Sequence, residues 1–236
     1  MIPQRSTSGE LPAWTLRALG YVFVNPALCE VALTHRSAGS SHNERLEFLG
    51  DAVLNCTVAR LLYEAHPKAD EGALSRQRAS LVSGETLALI AADLKLGDCL
   101  RLGGGELKSG GFRRASILAD ALEAVLGAIF LDGGFDAAYG VVRHILGPRL
   151  AEMPPASELK DPKTRLQEAL QGRGMALPLY ELTHVTGEAH DQSFTISCDV
   201  PALGLSSTGE GASRRRAEQV AAERLLAQLP ADMQKT

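Results

Sequence analysis

The segment Ser116–Leu131, SILADALEAVLGAIFL, carries only two charged residues, Asp120 and Glu123, in an otherwise apolar run. Helical spacing puts both acids on one face. A second segment, HNERLEFLGDAVL from His42 to Leu54, has the same peculiarity. On a helix turning about 100° per residue, its Glu44, Glu47 and Asp51 fall within one narrow sector. Like charges at these spacings repel, and burying unpaired carboxylates is costly, so something cationic is expected to face each sector. Two such helices, converging, would form an oxygen-rich pocket suited to Mg²⁺ or Mn²⁺. A metal held there would activate water and stabilise the departing oxygen of a phosphodiester. The alternative is that these acids cap, pair with Arg45, Arg76 or Arg78, or face solvent. The residue pattern leaves both readings open and names no substrate.

The chain of 236 residues, 45% hydrophobic, has apolar material for one or two ordinary domains. Pro154-Pro155 and the polar residues around them predict a linker over 151–160. The block before it, 12–150 with a core at about 12–134, has apolar residues at three- and four-residue spacing. These predict helices over Glu44–Leu62, Leu74–Leu94, Ser116–Leu131 and Phe135–Leu150. Pro67, a Gly-rich loop Gly103–Gly111 and Gly133-Gly134 are the expected breaks. The block after it, 161–231, starts with a helix over Asp161–Gln171, with Asp161 as N-cap and Pro162 at the first helical position. Phe194, Ile196, Cys198 and Val200 alternate with polar residues as in a half-buried strand, flanked by strand candidates Leu179–Val185 and Leu203–Thr208. Ser213 then caps a helix running to about Leu229. The fold class is therefore two domains: an all-α domain followed by a small α+β domain of order α-β-β-β-α.

Cys29, Cys56, Cys99 and Cys198 show no CxxC spacing, and each is expected to be a small buried hydrophobe in a reducing compartment. The start MIPQRSTSGELPAW has no apolar signal region and no segment is long and apolar enough to span a membrane, so a cytoplasmic location is expected, with no membrane partner. A net charge of −4 argues weakly against a nucleic-acid partner. Local distribution matters more: residues 160–236 carry nine Lys/Arg and ten Asp/Glu, and three of those cations are Arg214, Arg215 and Arg216.

HNERLEFLGDAVL resembles the signature of the ribonuclease III family. Further similarities follow in order: Asp70–Arg78 (DEGALSRQR), Gly105–Arg114 (GELKSGGFRR) and Ser116–Glu123 (SILADALE). From DPKTRLQE at Asp161, through GEAHDQ at Gly187, to GASRRRAE at Gly211, the second block is similar to a double-stranded-RNA-binding domain. The resemblance implies an all-α endonuclease domain that dimerises through the signature helix, burying an apolar surface around Phe48, Leu49 and Val53. It implies that Glu47, Asp120 and Glu123 ligate a catalytic Mg²⁺, for which Mn²⁺ substitutes, and that Asp51 takes part in hydrolysis beside them. Glu44, Glu71 and Glu106 are implied as supporting cleft residues. The product is implied to be 5′-phosphate and 3′-hydroxyl ends with a short 3′ overhang, in the processing of ribosomal and other structured transcripts.

Duplex RNA hides its base edges, so such a domain recognises shape, 2′-hydroxyls and phosphates. Arg214, Arg215 and the capping Ser213 are the expected phosphate contacts at a helix start. A loop around His190 is expected in one minor groove, with Gln167 and Glu168 at the next. Glu218 departs from the Lys often found there, which would weaken one phosphate contact. Gly103–Ser109 lacks the Gly before Lys-Ser of a nucleotide loop, so no nucleotide cofactor is expected; an RNA-facing loop with Lys108, Arg113 and Arg114 fits better. His35 and His42 have no catalytic partner and are expected to be structural. Two rival readings are a non-catalytic duplex-RNA-binding scaffold, which would be expected to have lost acidic residues, and a hydrolase of small phosphates, in which the second block has no purpose.

Overall fold

The computed structural model describes residues 11–153, 160–188, 191–230 and 233, in two compact units that divide between Met153 and Pro154. The first unit is helical: α1 (Leu11–Leu19), α2 (Pro26–Ala32), α3 (Glu44–Ala65), α4 (Glu71–Leu81), α5 (Gly84–Asp93), a short α6 (Gly104–Lys108) and α7 (Ala115–Ala151). The predicted single helix over Leu74–Leu94 is two. Ser83 adopts an extended backbone and its hydroxyl accepts from the Thr86 N–H, so it ends α4 and caps α5. The expected Gly-rich loop contains α6 and a 3₁₀ turn at Gly111–Arg113. The break at Gly133-Gly134 is a kink inside α7, where Gly134 takes φ 78°, a conformation that favours glycine. Helices α1 and α2, outside the segments expected to be helical, complete the unit.

Helices α3 and α7 form its centre. Their contact needs glycine: a Cβ on Gly127 would lie 2.3 Å from the Leu46 carbonyl oxygen. Leu54, Val58 and Leu62 of α3 and Leu122, Leu126 and Ile129 of α7 are fully buried in one core with Leu87 and Ile90 of α5. Asp132 ties the chain start to α7, accepting from the Tyr21 hydroxyl at 2.7 Å and from the Val24 and Asn25 N–H groups at 2.8 Å.

The second unit runs α8 (Pro162–Gln171), β1 (Leu179–Thr186), β2 (Ser193–Val200), β3 (Leu205–Gly211) and α9 (Arg214–Leu226). The strands form an antiparallel sheet in the order β1-β2-β3, pairing Tyr180 with Cys198 and Ser197 with Thr208. Ile196, Cys198 and Val200 are buried, as alternation predicts. Both helices cover this side of the sheet, with Leu166, Leu170, Ala221 and Leu225 in a core with Cys198 and Val200. Asp161 caps α8 by accepting from the Thr164 N–H, as expected.

Two expectations need correction. Cys56 is exposed, because it lies on the outward side of α3, while Cys29, Cys99 and Cys198 are buried. Val53 is not available to a partner: it points into the unit's own core, and Leu49 is half-buried. The outward side of α3 instead presents Phe48, 82% exposed, with Ala52, Cys56 and Tyr63, 73% exposed.

Candidate active site and RNA-binding face

The close approach of α3 to α7 brings the two acidic sectors together. Glu47 and Asp51 come from α3, Asp120 and Glu123 from α7, and their charges act on one another. Burial, then the charges of Asp51, Asp120 and Glu47, pushes the Glu123 carboxyl up to about 7. Burial, then Asp120 and Glu44, raises Glu47, and burial raises Asp120. Among the described residues none of the four forms an ion pair. Of the four, only Asp51 has a side-chain hydrogen bond among the described residues, its Oδ1 accepting from Asn55 Nδ2 at 2.9 Å. The alternative of pairing with Arg45, Arg76 or Arg78 is therefore not what offsets these charges.

A cleft of about 550 Å³ opens beside them, lined by Glu44, Glu47, Glu106 and Asp120 with His35, Arg36, Ser37, Asn43, Arg114, Ser116 and Ile117. Glu44 pairs with Arg36 at 3.1 Å and Glu106 with Arg114 at 2.9 Å. Glu71 stands apart, exposed at the start of α4 and accepting from the Ser75 hydroxyl at 2.7 Å. Arg36 and Ser37 stand outside the acidic sectors that mark the site in the sequence. Their signal was the polar Thr34-His35-Arg36-Ser37 just before the acidic helix. That segment is held by a parallel bridge between Thr34 and Arg101, and by Ser37 Oγ accepting from the Gly103 N–H at 2.9 Å. His35 Nδ1 contacts the Ser37 hydroxyl at 2.8 Å, and its ring lines the cleft near Asp120.

Among the described residues no three His, Cys, Asp or Glu side chains form a closed metal cage. The donor chemistry nevertheless fits a hard divalent cation: carboxylate oxygens outside any ion pair, with the proton affinity of Glu47 and Glu123 raised by burial and then by their acidic neighbours, and that of Asp120 by burial. A cation placed among them would relieve repulsion that the charge of Arg36 offsets only in part, at Glu47 and Asp120.

In the second unit Ser213 caps α9, accepting from the Arg216 N–H at 3.2 Å. Arg214, Arg215 and Arg216 stand exposed in its first turn, with no ion pair among the described residues. Gln167 is exposed on α8, whereas Glu168 is paired with Lys160. Glu218 pairs with Lys163, whose ammonium also sits 4.6 Å from the Tyr180 ring centre, so Glu218 is a compensated charge. His190 lies outside the described residues.

An all-α unit with a carboxylate cleft, followed by an α-β-β-β-α unit with an arginine-bearing helix start, defines a nuclease of the class that acts on double-stranded RNA. The profile of a family described as "Ribonuclease-III-like" matches residues 25–150, and that of the "Double-stranded RNA binding motif" matches residues 162–229. The chain is 59% identical over 219 residues to Ribonuclease 3 of Thiobacillus denitrificans, covering 93% of this chain and 97% of that one. It is 55% identical over 213 residues to Ribonuclease 3 of Vibrio campbellii, covering 90% and 95%. A crystal structure of the nuclease domain of ribonuclease III from Campylobacter jejuni is 40% identical with a TM-score of 0.57, covering 60% of this chain and 97% of that domain. A second structure of that domain, 42% identical with the same TM-score and covering 58% and 97%, is described as showing flexibility in a region involved in dimer formation. The chain belongs to the ribonuclease III family, and is a double-stranded-RNA endoribonuclease with the divalent-metal dependence of that family.

Proposed function

We propose that this chain hydrolyses both strands of an RNA duplex as a homodimer, using Mg²⁺ or, in its place, Mn²⁺ held by Glu47, Asp120 and Glu123. The observation that carries this reading is the meeting of two unpaired carboxylate pairs where α3 and α7 touch. A bound divalent cation supplies an activated water and charge stabilisation at the phosphodiester. Glu123 must give up the proton that its surroundings favour before it can ligate, so it couples cation binding to proton release. Asp51, exposed and with one oxygen held by Asn55, keeps the other to orient the attacking water and accept its proton. Glu44, Glu106 and Glu71 support RNA engagement rather than the chemistry.

The nuclease domain spans 12–150, with the linker at 151–160 and the RNA-binding domain at 161–231. Two copies join through the exposed side of α3, covering Phe48 and Tyr63, and each copy cuts one strand. The products are 5′-phosphate and 3′-hydroxyl ends with short 3′ overhangs. Arg214 and Arg215 hold phosphates, aided by the capped start of α9 at Ser213. Gln167, Glu168 and the loop at His190 reach the minor grooves. For Glu168 this requires release from Lys160. The cellular role is processing of rRNA precursors and other structured transcripts in the cytoplasm; among the described residues no helix is long and apolar enough to cross a membrane.

The test is an end-labelled long RNA duplex incubated with Mg²⁺, with EDTA, and beside a single-stranded control. Duplex-only, Mg²⁺-dependent cutting to 5′-phosphate fragments is expected. Tight binding without cutting in either Mg²⁺ or Mn²⁺ would replace this reading with that of a non-catalytic scaffold.

A further inference from the structure

We propose that Arg36 and Arg114 are the phosphate ligands of the carboxylate cleft, and that Glu44 and Glu106 are the positioning residues that aim them. This rests on the nuclease reading above and assigns residues that reading leaves without a role. The cleft presents four carboxylates, Glu44, Glu47, Glu106 and Asp120, to a substrate that is itself a polyanion. A divalent cation answers for the acids deep between α3 and α7, but it does not grip the RNA backbone on either side of the cut. Arg36 and Arg114 are the two arginines that line the same cleft.

Their geometry suits that task. Arg36 commits Nη1 to Glu44 at 3.1 Å, and its charge acts on both Glu47 of α3 and Asp120 of α7, so it reaches the two walls at once. Arg114 gives Nη1 to Glu106 and Nη2 to the Ser109 hydroxyl at 3.2 Å. A guanidinium has five N–H donors in a planar fork, so each arginine keeps donors for a phosphate while its carboxylate holds the plane in place. The backbones beneath are fixed. Arg36 lies in the segment pinned by the Thr34–Arg101 bridge and the Ser37–Gly103 hydrogen bond, and Arg114 is the residue from which α7 starts. The side chains above stay accessible, at 70% exposure for Arg36 and 46% for Arg114. Exposed ion pairs of this kind add little to folding stability, so what these contacts supply is orientation.

The experiment is single-turnover cleavage of a long RNA duplex by the full chain, followed over a range of KCl concentrations with excess Mg²⁺. The proteins are wild type, Arg36→Gln, Arg36→Lys, Arg114→Gln and Glu44→Ala, with thermal melting of each. Arg36→Gln and Arg114→Gln should each raise half-saturation about tenfold and lower the log–log salt slope by about one, the share of one phosphate contact. Arg36→Lys should recover the slope, because the charge remains, but not the full rate, because the fork is lost. Glu44→Ala should keep the slope, because the charge of Arg36 remains, but raise half-saturation, as expected of a residue that aims a phosphate ligand and takes no part in the chemistry. Melting points should stay within a degree or two of wild type. Wild-type half-saturation and slope in both Gln variants would overturn the proposal, as would a loss explained wholly by lower melting points. If wild type itself does not cut duplex RNA, it is the nuclease reading that fails, not this assignment.

Discussion

Gly50 of α3 and Glu123 of α7 meet backbone to backbone: a Cβ on Gly50 would stand 1.7 Å from the Glu123 carbonyl oxygen. This contact sets the distance between the two helices and therefore between their carboxylates. Gly50→Ala should accordingly force α3 and α7 apart. In an exposed helix that change would stabilise by up to about 1 kcal/mol; here overpacking should reverse the sign, at a cost of about 1–3 kcal/mol or more. Urea denaturation measures the cost, and cleavage should fall with it. A variant as stable and active as wild type would mean that the helix contact tolerates a methyl group.

Replacing one cleft carboxylate should separate chemistry from binding. Glu123→Gln and Asp51→Asn are each expected to reduce cleavage by roughly a hundredfold or more, while duplex-RNA affinity measured in EDTA stays at the wild-type level. Matching losses of affinity would show that these residues serve folding or docking.

Glu123 also ties stability to pH. Its carboxyl, raised from 4.5 to about 7 by burial and then by the charges of Asp51, Asp120 and Glu47, holds a proton in the folded chain that the unfolded chain releases in that window. The contribution of this group is complete below about pH 4.5 and is lost as pH rises through about 7. With allowance for solvent screening of a half-exposed group, the swing is about 1–2 kcal/mol. In cation-free buffer at pH 8, Glu123→Gln should melt above wild type, and the difference should vanish near pH 4.5. Mg²⁺ should raise the wild-type melting point more than that of the variant. Parallel melting curves across the whole range would refute this account.

The arginine-bearing start of α9 should govern affinity more than rate. Arg214→Ala with Arg215→Ala should weaken duplex binding and lower the log–log salt slope by about two, leaving cleavage at low salt partly intact. Unchanged affinity in a titration with RNA duplex would remove this face from the binding surface.

Phe48 is 82% exposed in the single chain, so Phe48→Glu should leave the fold of the protomer intact. If two copies join through α3, that change should weaken the dimer by about 2 kcal/mol or more, and sedimentation should show monomers at concentrations where wild type is dimeric. A dimer of undiminished strength would place the interface elsewhere.

Several elements were legible in the residues alone. The acidic sectors of α3 and α7 follow from helical spacing, and the caps at Asp161 and Ser213 from local side-chain chemistry. The strand Ser193–Val200 follows from alternation. Each of these is a short-range pattern that the chain carries whatever else it packs against. Ser83 was equally local but was hidden by the apolar spacing that runs through α4 and α5.

Other features depend on contacts between residues far apart in sequence, which no local pattern records. Val53 and Phe48 are both apolar residues of α3, and only the packing of the unit around α3, above all by α7, decides that one is core and the other surface. Glu218 looked like a lost cation until α8 brought Lys163 beside it. Arg36 entered the cleft because a bridge to Arg101 holds its segment there. The sequence by itself determined which helices are acidic, where the helices and the first two strands of the second unit begin, and the family to which the chain belongs; the third strand starts at Leu205, after a turn at Pro201–Leu203, and not at Leu203 as expected. Tertiary structure decided which charges meet and which remain unpaired, because Coulomb energy depends on distance in space and on desolvation, and both arise only when the helices pack.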